Sequence, residues 1–260
     1  MDTRYWGPSG WRLLHLITFA HPTPTPTQRK ALAAFFGALS YVLPCKYCRA
    51  NLTEHMEALP LEPALQSSTP FALAKWLWGI HNRTNAKLRA QGLHVEADPD
   101  FATVKRVYLD RLAAGCTRTT FSGWEFLFSV VENHPLSRQA VAGTPMPDAP
   151  PDAAAVADKA TRNRYNVMTP EERLVESAAF WAALPSVLPF PEWRRAWAAC
   201  STDWSTRASA LKSLWGIRCR MERELELLNK TTYDSLCREL RSYRSGCSAS
   251  KRGKTCRKKR

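Results

Sequence analysis

The sequence predicts an all-α protein, and three observations carry that prediction. Apolar residues recur three and four positions apart over most of the chain, the spacing that lines one face of a helix. Runs in which β-branched and polar residues alternate are scarce. Proline and glycine punctuate the ends of the periodic segments, as helix boundaries require.

The first periodic segments are residues 11–19, 29–43, 71–88 and 101–112. Pro44 suits the first turn of a further helix that opens at Cys45. Four or five helices are therefore expected in residues 1–112, packed as a small bundle. His21-Pro22-Thr23-Pro24-Thr25-Pro26 reads as a rigid loop, and Pro60, Pro63 and Pro70 bracket another. In residues 140–164, Pro145, Pro147, Pro150 and Pro151 are interspersed with Ala and Asp, and no aromatic residue occurs between Phe128 and Tyr165. That composition predicts an exposed linker or long loop.

The chain repeats itself. FFGALSYVLPCKYCRANL at 35–52 matches FWAALPSVLPFPEWRRAW at 180–197 at seven of 18 positions. KWLWGIHNR at 75–83 matches KSLWGIRCR at 212–220 at six of nine, and SGWRLLHLITFAHP at 9–22 matches SGWEFLFSVVENHP at 122–135 at six of 14. The three matches keep their order, which predicts two bundles of related design joined near residues 113–120. The polar residues do not repeat. His15 faces Phe128 in the alignment, Cys45 and Cys48 face Phe190 and Trp193, and His81, Asn82 and Asn85 face Arg218, Cys219 and Glu222. Packing residues persist while residues capable of chemistry are replaced. The first half is therefore the candidate site.

Charge and cysteine usage narrow the function classes. The chain has 260 residues, 37 Lys+Arg against 23 Asp+Glu, and a net charge of +14. Residues 241–260 hold nine Lys or Arg and no acid, a basic tail suited to nucleic acid, an anionic surface or simple solvation. Residues 1–9 show neither the basic start nor the apolar stretch of a secretory signal, and no apolar run approaches the roughly 20 residues of a membrane span. The expectation is a cytoplasmic protein that is not secreted, with a viral assembly site, a virion or a nucleus as further destinations. Among eight cysteines only Cys45-Lys46-Tyr47-Cys48 is closely spaced. A lone C-x-x-C reads as half a zinc site, a redox dithiol or chance. Zinc requires two more ligands of similar spacing, and no second C-x-x-C is present, so no metal is expected. A thiol at a helix N-terminus is acidified and able to exchange with other thiols. Trp78, His81 and Asn85 share one helix face, with Asn82 beside them, and Trp11 and His15 lie one turn apart. Such a surface suits a flat heterocycle with hydrogen-bonding edges. A packed polar helix face has the same pattern.

Taken together, Trp11-x-x-x-His15, Cys45-x-x-Cys48 and Trp78-x-x-His81-Asn82-x-x-Asn85-x-x-Leu88 resemble the Erv/ALR family of FAD-linked sulfhydryl oxidases, over roughly residues 5–105. Tyr5-Trp6-Gly7-Pro8-Ser9-Gly10-Trp11 looks most like members encoded by large DNA viruses. The resemblance implies a helical bundle that holds FAD without a covalent bond. It implies electron flow from protein dithiols to the flavin and then to O₂, giving a disulfide and H₂O₂. By position it implies that Cys48 delivers electrons to the isoalloxazine ring and Cys45 exchanges with the incoming thiol. It further implies that Gly7, Trp11 and His15 pack on the cofactor and that Trp78, His81, Asn82 and Asn85 hold its ring edges. Lys87 would neutralise its pyrophosphate. Many members carry a cysteine pair just after the His-Asn segment, and here none follows until Cys116. A shuttle dithiol is expected downstream, at Cys247 and Cys256, or on a separate thioredoxin-like carrier. Residues 113–240 would form a degenerate bundle covering the face through which family members dimerise. The result is an internal pseudo-dimer, able to pair again as a homodimer. The competing expectation is a non-catalytic scaffold with a vestigial oxidase bundle. A thioredoxin-like fold is disfavoured, because its C-x-x-C follows a strand.

Overall fold

The structure, a computed structural model, describes residues 1–137 and 143–244. Among the described residues all regular structure is helical. Helices α1 (Thr3–Phe19), α2 (Pro26–Val42), α3 (Lys46–Ala58), α4 (Glu62–Gln66), α5 (Ala72–Ala90) and α6 (Phe101–Ala113) come first. They are followed by α7 (Trp124–Glu132), α8 (Lys159–Arg164), α9 (Pro170–Val187), α10 (Pro191–Ala198), α11 (Arg207–Glu224) and α12 (Tyr233–Ser242), with a 3₁₀ turn at Ala153–Ala155. The all-α expectation holds. The first part has six helices rather than four or five, because the proline-bracketed segment closes one turn, α4, around buried Leu65. No described helix is long and apolar enough to cross a membrane. Cys247 and Cys256 lie outside the described residues.

Local chemistry explains the helix starts. Thr25 and Thr169 each open a helix with a proline in the first turn and a full capping box, closed by Gln28 and Glu172. Such a cap stabilises its helix by about 1 kcal/mol. α1 begins at Thr3, well before the periodic segment at 11–19, and runs through Pro8. A proline there lacks an N–H and crowds the preceding turn. Two features offset that cost: Asp2 caps the helix by accepting from the Arg4 N–H at 2.9 Å, and Trp6 is buried.

The halves pack through helices that the sequence repeat pairs. α1 lies against α7, and α2 lies along α9. Ser9 Oγ donates to Ser122 O at 2.6 Å and accepts from the Phe126 N–H at 3.2 Å. Gly10 admits the Phe126 ring, which would sit 3.2 Å from an added Cβ. Phe35 stacks on its own repeat counterpart Phe180, centroids 5.1 Å apart. One apolar cluster runs through both halves, from Leu13 and Phe36 to Trp193 and Leu214. Each fully buried Phe or Leu in it contributes about 1.5–3 kcal/mol of transfer free energy.

The expected linker departs from its composition. Much of 143–164 is exposed, but its end forms α8, capped by Asp158, and seats on α3. Asn163 is fully buried and donates to Ser40 O at 3.2 Å and Thr53 Oγ1 at 2.9 Å. Arg164 pairs with Glu54 at 3.3 Å, and Lys46 Nζ donates to Thr144 O at 3.0 Å. A buried amide needs its hydrogen bonds met, and these long-range partners convert the segment from a spacer into a strap across α2 and α3.

Candidate functional site

α1, α5 and α6 meet in an aromatic cluster. Trp11 and His15, one turn apart on α1, face His81 on α5. The Trp11 and His81 rings stack at 3.9 Å with planes 10° apart. His15 Nε2 and His81 Nδ1 lie 3.3 Å apart and share a single proton. Tyr108 of α6 stacks on His15 at 5.0 Å and on Phe19 at 5.5 Å. Burial, reinforced by the neighbouring His81, pushes His15 down to about 3, and burial pushes His81 down to about 4. Both imidazoles are therefore neutral near pH 7. His15 Nδ1 is buried without a hydrogen-bond partner, although a buried polar atom normally has one.

The rest of the α5 face is held from two sides. Trp78 Nε1 donates to Pro99 O at 3.0 Å, and its ring meets Phe101 edge-on. Asn85 donates to Asp98 at 2.7 Å, and Arg89 also pairs with Asp98. Burial alone would raise the Asp98 carboxyl, but the hydrogen bonds from Arg89 and Asn85 prevail and hold it below the usual carboxylate range. Lys87 Nζ donates to Asn51 and to Glu54, the latter at 2.9 Å, clamping α5 to α3. Asn82 is half-buried beside His81. Gly7 lies one turn before Trp11 with nothing within 4 Å of an added Cβ, so no close approach requires glycine there.

The cysteines sit at the start of α3, as the sequence predicts. Cys45 is the N-cap residue and is buried; Cys48 is half-buried one turn on. Cys48, Asn51 and His55 recur at three- and four-residue spacing and share a face. The Lys87 clamp turns that face toward α5. Burial depresses His55, aided by the charge of Lys87, and its Nε2 has no partner. Arg49, next in the chain, is buried and donates to Leu43 O and Asn166 Oδ1, both at 2.8 Å. Burial lowers its basicity, and negative charge on Cys45 or Cys48 opposes that fall in part. A thiolate at either sulfur is stabilised in return. Among the described residues no three His, Cys, Asp or Glu gather to hold a metal ion.

Sequence reasoning thus found the residues with distinctive spacing and missed their partners. Tyr108, Asp98, Asn51, His55 and Arg49 belong to no motif. Tyr108 carried one signal, its place seven residues after Phe101 on the same helix face. The others are recognisable only once α3, α5 and the 93–100 segment are packed together.

The chain is similar to known proteins over this region. The model of the Erv1/Alr family matches residues 8–105. A probable FAD-linked sulfhydryl oxidase of Acanthamoeba polyphaga mimivirus is 36% identical over 86 residues, 33% of this chain and 59% of that protein. The mitochondrial FAD-linked sulfhydryl oxidase of Saccharomyces cerevisiae is 30% identical over 89 residues, 34% of this chain and 45% of that protein. Human sulfhydryl oxidase 1 is 28% identical over 102 residues, 36% of this chain and 13% of its own length. The matched region thus spans about half of the first two relatives. No solved structure gives a significant match. Trp11, His15, His81 and both cysteines of the C-x-x-C lie within the matched residues, and over residues 8–105 the chain is similar to the Erv1/Alr family.

Proposed function

We propose that the chain is a FAD-dependent sulfhydryl oxidase that forms disulfide bonds in protein dithiols, with O₂ as final acceptor and H₂O₂ as by-product. One observation carries the reading. His81 of α5 completes a neutral stack with Trp11 and His15 of α1, while Lys87 of α5 holds the Cys48 face of α3 alongside.

The residues fit a flavin nucleotide. It needs flat ring faces, uncharged groups at its heterocycle edges and cations near its phosphates. Trp11, His15, His81 and Tyr108 offer the faces. His15 Nδ1 is a buried atom in want of a partner. Asn82 and Asn85 offer amides, and Lys87 a charge. Trp11, His15, Trp78, His81, Asn82, Asn85 and Lys87 would hold the cofactor, with Gly7 leaving the surface before Trp11 open. When bound, the flavin supplies a two-electron acceptor that O₂ can reoxidise.

The chain's own part is thiol–disulfide exchange. A substrate thiolate attacks Cys45 Sγ of the oxidised Cys45–Cys48 pair, that bond breaks, and Cys48 leaves as thiolate. Arg49 stabilises the leaving thiolate. The second substrate thiolate attacks the substrate sulfur of the mixed disulfide, and Cys45 leaves. Two electrons and two protons have then moved from substrate to the cysteine pair.

We read residues 1–112 as the oxidase domain and 113–240 as a degenerate second bundle, together an internal pseudo-dimer. Packing of repeat-matched helices supports this, and so does Trp215 meeting Tyr233 edge-on at 5.3 Å as Trp78 meets Phe101 at 6.0 Å. The proposed partners are protein dithiols and a thioredoxin-like carrier. The tail 241–260, with Cys247 and Cys256, is proposed as the shuttle and as a contact for anionic surfaces. The viral relative supports a cytoplasmic assembly site as the place of action. The test is a visible spectrum with an oxygen electrode. A yellow protein that consumes O₂ with dithiothreitol, and loses this in Cys48→Ser, upholds the oxidase. A colourless protein that takes up no FAD overturns it and leaves a scaffold.

A further inference from the structure

A second feature lies beside Cys45. A cavity of about 200 Å³ opens between the two halves of the chain, and Cys45, Lys46 and Arg49 of the first half and Asn166 and Arg173 of the second line it. Among the described residues its lining contains three cationic side chains and no Asp or Glu. Arg49 and Arg173 both donate to Asn166 Oδ1, at 2.8 and 3.1 Å, so two guanidinium groups converge on one neutral oxygen. Both are buried, and neither has an ion pair among the described residues. Arg49 Nε is buried without a partner.

Burying two like charges side by side is costly unless an anion joins them. Burial, then the charge of Arg49, pushes Arg173 down to about 9, against the opposing pull of the Glu172 carboxylate. Among anion binders, arginine is suited to a carboxylate because its fork can donate two parallel bonds. The volume admits an acidic side chain. The position beside Cys45 means that whatever enters is attached to, or next to, the thiol that exchanges there.

We propose that this cavity is a carboxylate subsite of the thiol substrate, selecting cysteines that carry a neighbouring carboxylate. The inference rests on the oxidase reading for the role of Cys45, and deepens it by naming a substrate class. The half that lacks the C-x-x-C then has a purpose, since its Arg173 and Asn166 complete the substrate site of the other half.

Two measurements test it on the full chain. The first needs no flavin. In the reduced protein, the alkylation rates of Cys45 by iodoacetate and by iodoacetamide are read by peptide mass spectrometry, with half-buried Cys237 as reference. The expected iodoacetate-to-iodoacetamide ratio at Cys45 exceeds that at Cys237. It falls about fivefold in Arg173→Gln, the order expected for losing one nearby charge, and Arg173→Lys restores it. Retention of the helical circular dichroism spectrum shows that each variant is folded, and the lysine variant keeps the test valid if the glutamine variant is not. A ratio equal to that of Cys237 and unmoved by Arg173→Gln overturns the subsite.

The second measurement compares oxygen consumption with 3-mercaptopropionate against 2-mercaptoethanol, and with dithiol peptides carrying Glu against Gln beside cysteine. Preference for the acid in both arms assigns the site to any thiol-borne carboxylate, and preference in the peptide arm alone assigns it to acidic side chains of protein substrates. Preference in neither overturns the substrate assignment. Loss of all turnover with dithiothreitol would instead defeat the oxidase reading, while the alkylation ratio would still report the cavity.

Discussion

Two clusters that the sequence repeat matches are built in opposite ways. In the first half Trp11, His15, His81 and Asn85 form a neutral cluster with a buried ring nitrogen unmet. Their repeat counterparts are Trp124, Phe128, Arg218 and Glu222. There the Arg218 guanidinium lies 5.3 Å from the Trp124 ring and 5.9 Å from Phe128, donating to Glu222 at 2.7 Å and to Asn229 O at 2.9 Å. The second position is filled by its own ion pair, with Trp124 and Phe128 almost wholly buried. Two stretches matched by the sequence repeat therefore reach two outcomes. A site that completes its own hydrogen bonds has no use for a ligand, and one that does not complete them is suited to receive one. The cysteine positions differ in the same way: Trp193, the counterpart of Cys48, packs on Phe121 and Phe190 as core.

The largest effect expected from erasing this difference is at Cys48. Cys48→Ser should lower dithiol-driven oxygen consumption by more than about 10⁴-fold, as loss of an essential reacting group does. The flavin spectrum should persist, since the ring-binding residues are untouched. Activity within tenfold of wild type would remove Cys48 from the chemistry.

The next largest effect tests the filled position. Arg218 and Glu222 have side-chain exposures of only 8% and 11%. Arg218→Met alone leaves the Glu222 carboxylate buried without its partner, and should destabilise the chain by about 3–5 kcal/mol. Changing both, Arg218→Met with Glu222→Leu, should cost far less, because no charge is then left unpaired. Urea titration of the two variants separates these outcomes. Equal losses would show that the pair acts through shape rather than charge.

Transplanting the filled arrangement into the first half should have a somewhat smaller effect. His81→Arg with Asn85→Glu places the plug where the cluster now stands. Flavin retention should fall at least about a hundredfold, the consequence of several lost contacts at roughly 1 kcal/mol each. The helical circular dichroism spectrum should be kept, since α11 shows that the fold accommodates these residues. Flavin absorbance per protein after gel filtration is the readout. Full retention would place the cofactor elsewhere.

The contrast also explains what was legible in the sequence. Trp, Gly and Pro recur because helix crossings and turns depend on their shape, so the paired helices were visible as repeats. Phe101 and Tyr233 occupy the same place at the start of α6 and α12, yet differ in identity, and that part of the repeat emerged only from geometry. Cys45, Cys48, His15 and His81 stood out because their counterparts are apolar or oppositely built. The strap at 143–166 did not, because its order depends on Asn163 reaching Ser40 and Thr53 across the chain. Arg49 and Arg173 likewise look like ordinary surface charges until Asn166 joins them.

The smallest expected effect concerns acid. His15 and His81 sit at about 3 and about 4 when folded, against 6.5 for a free imidazole. Their folded values are depressed, so below pH 6.5 the unfolded chain binds more protons. Stability from this pair is complete above that pH and is lost as pH falls toward 4. His21, His55 and His134 are also depressed, burial being the chief cause, so the whole chain should weaken in acid and a difference measurement is needed. His15→Phe copies the second half, where Phe128 has no proton to gain. Between pH 7 and pH 5 this variant should lose less stability than wild type, by about 2 kcal/mol. Urea midpoints at the two pH values measure it. An identical pH dependence in both proteins would mean that His15 is charged or solvated in the folded state. The first-half cluster would then be no more neutral than the position that Arg218 and Glu222 fill.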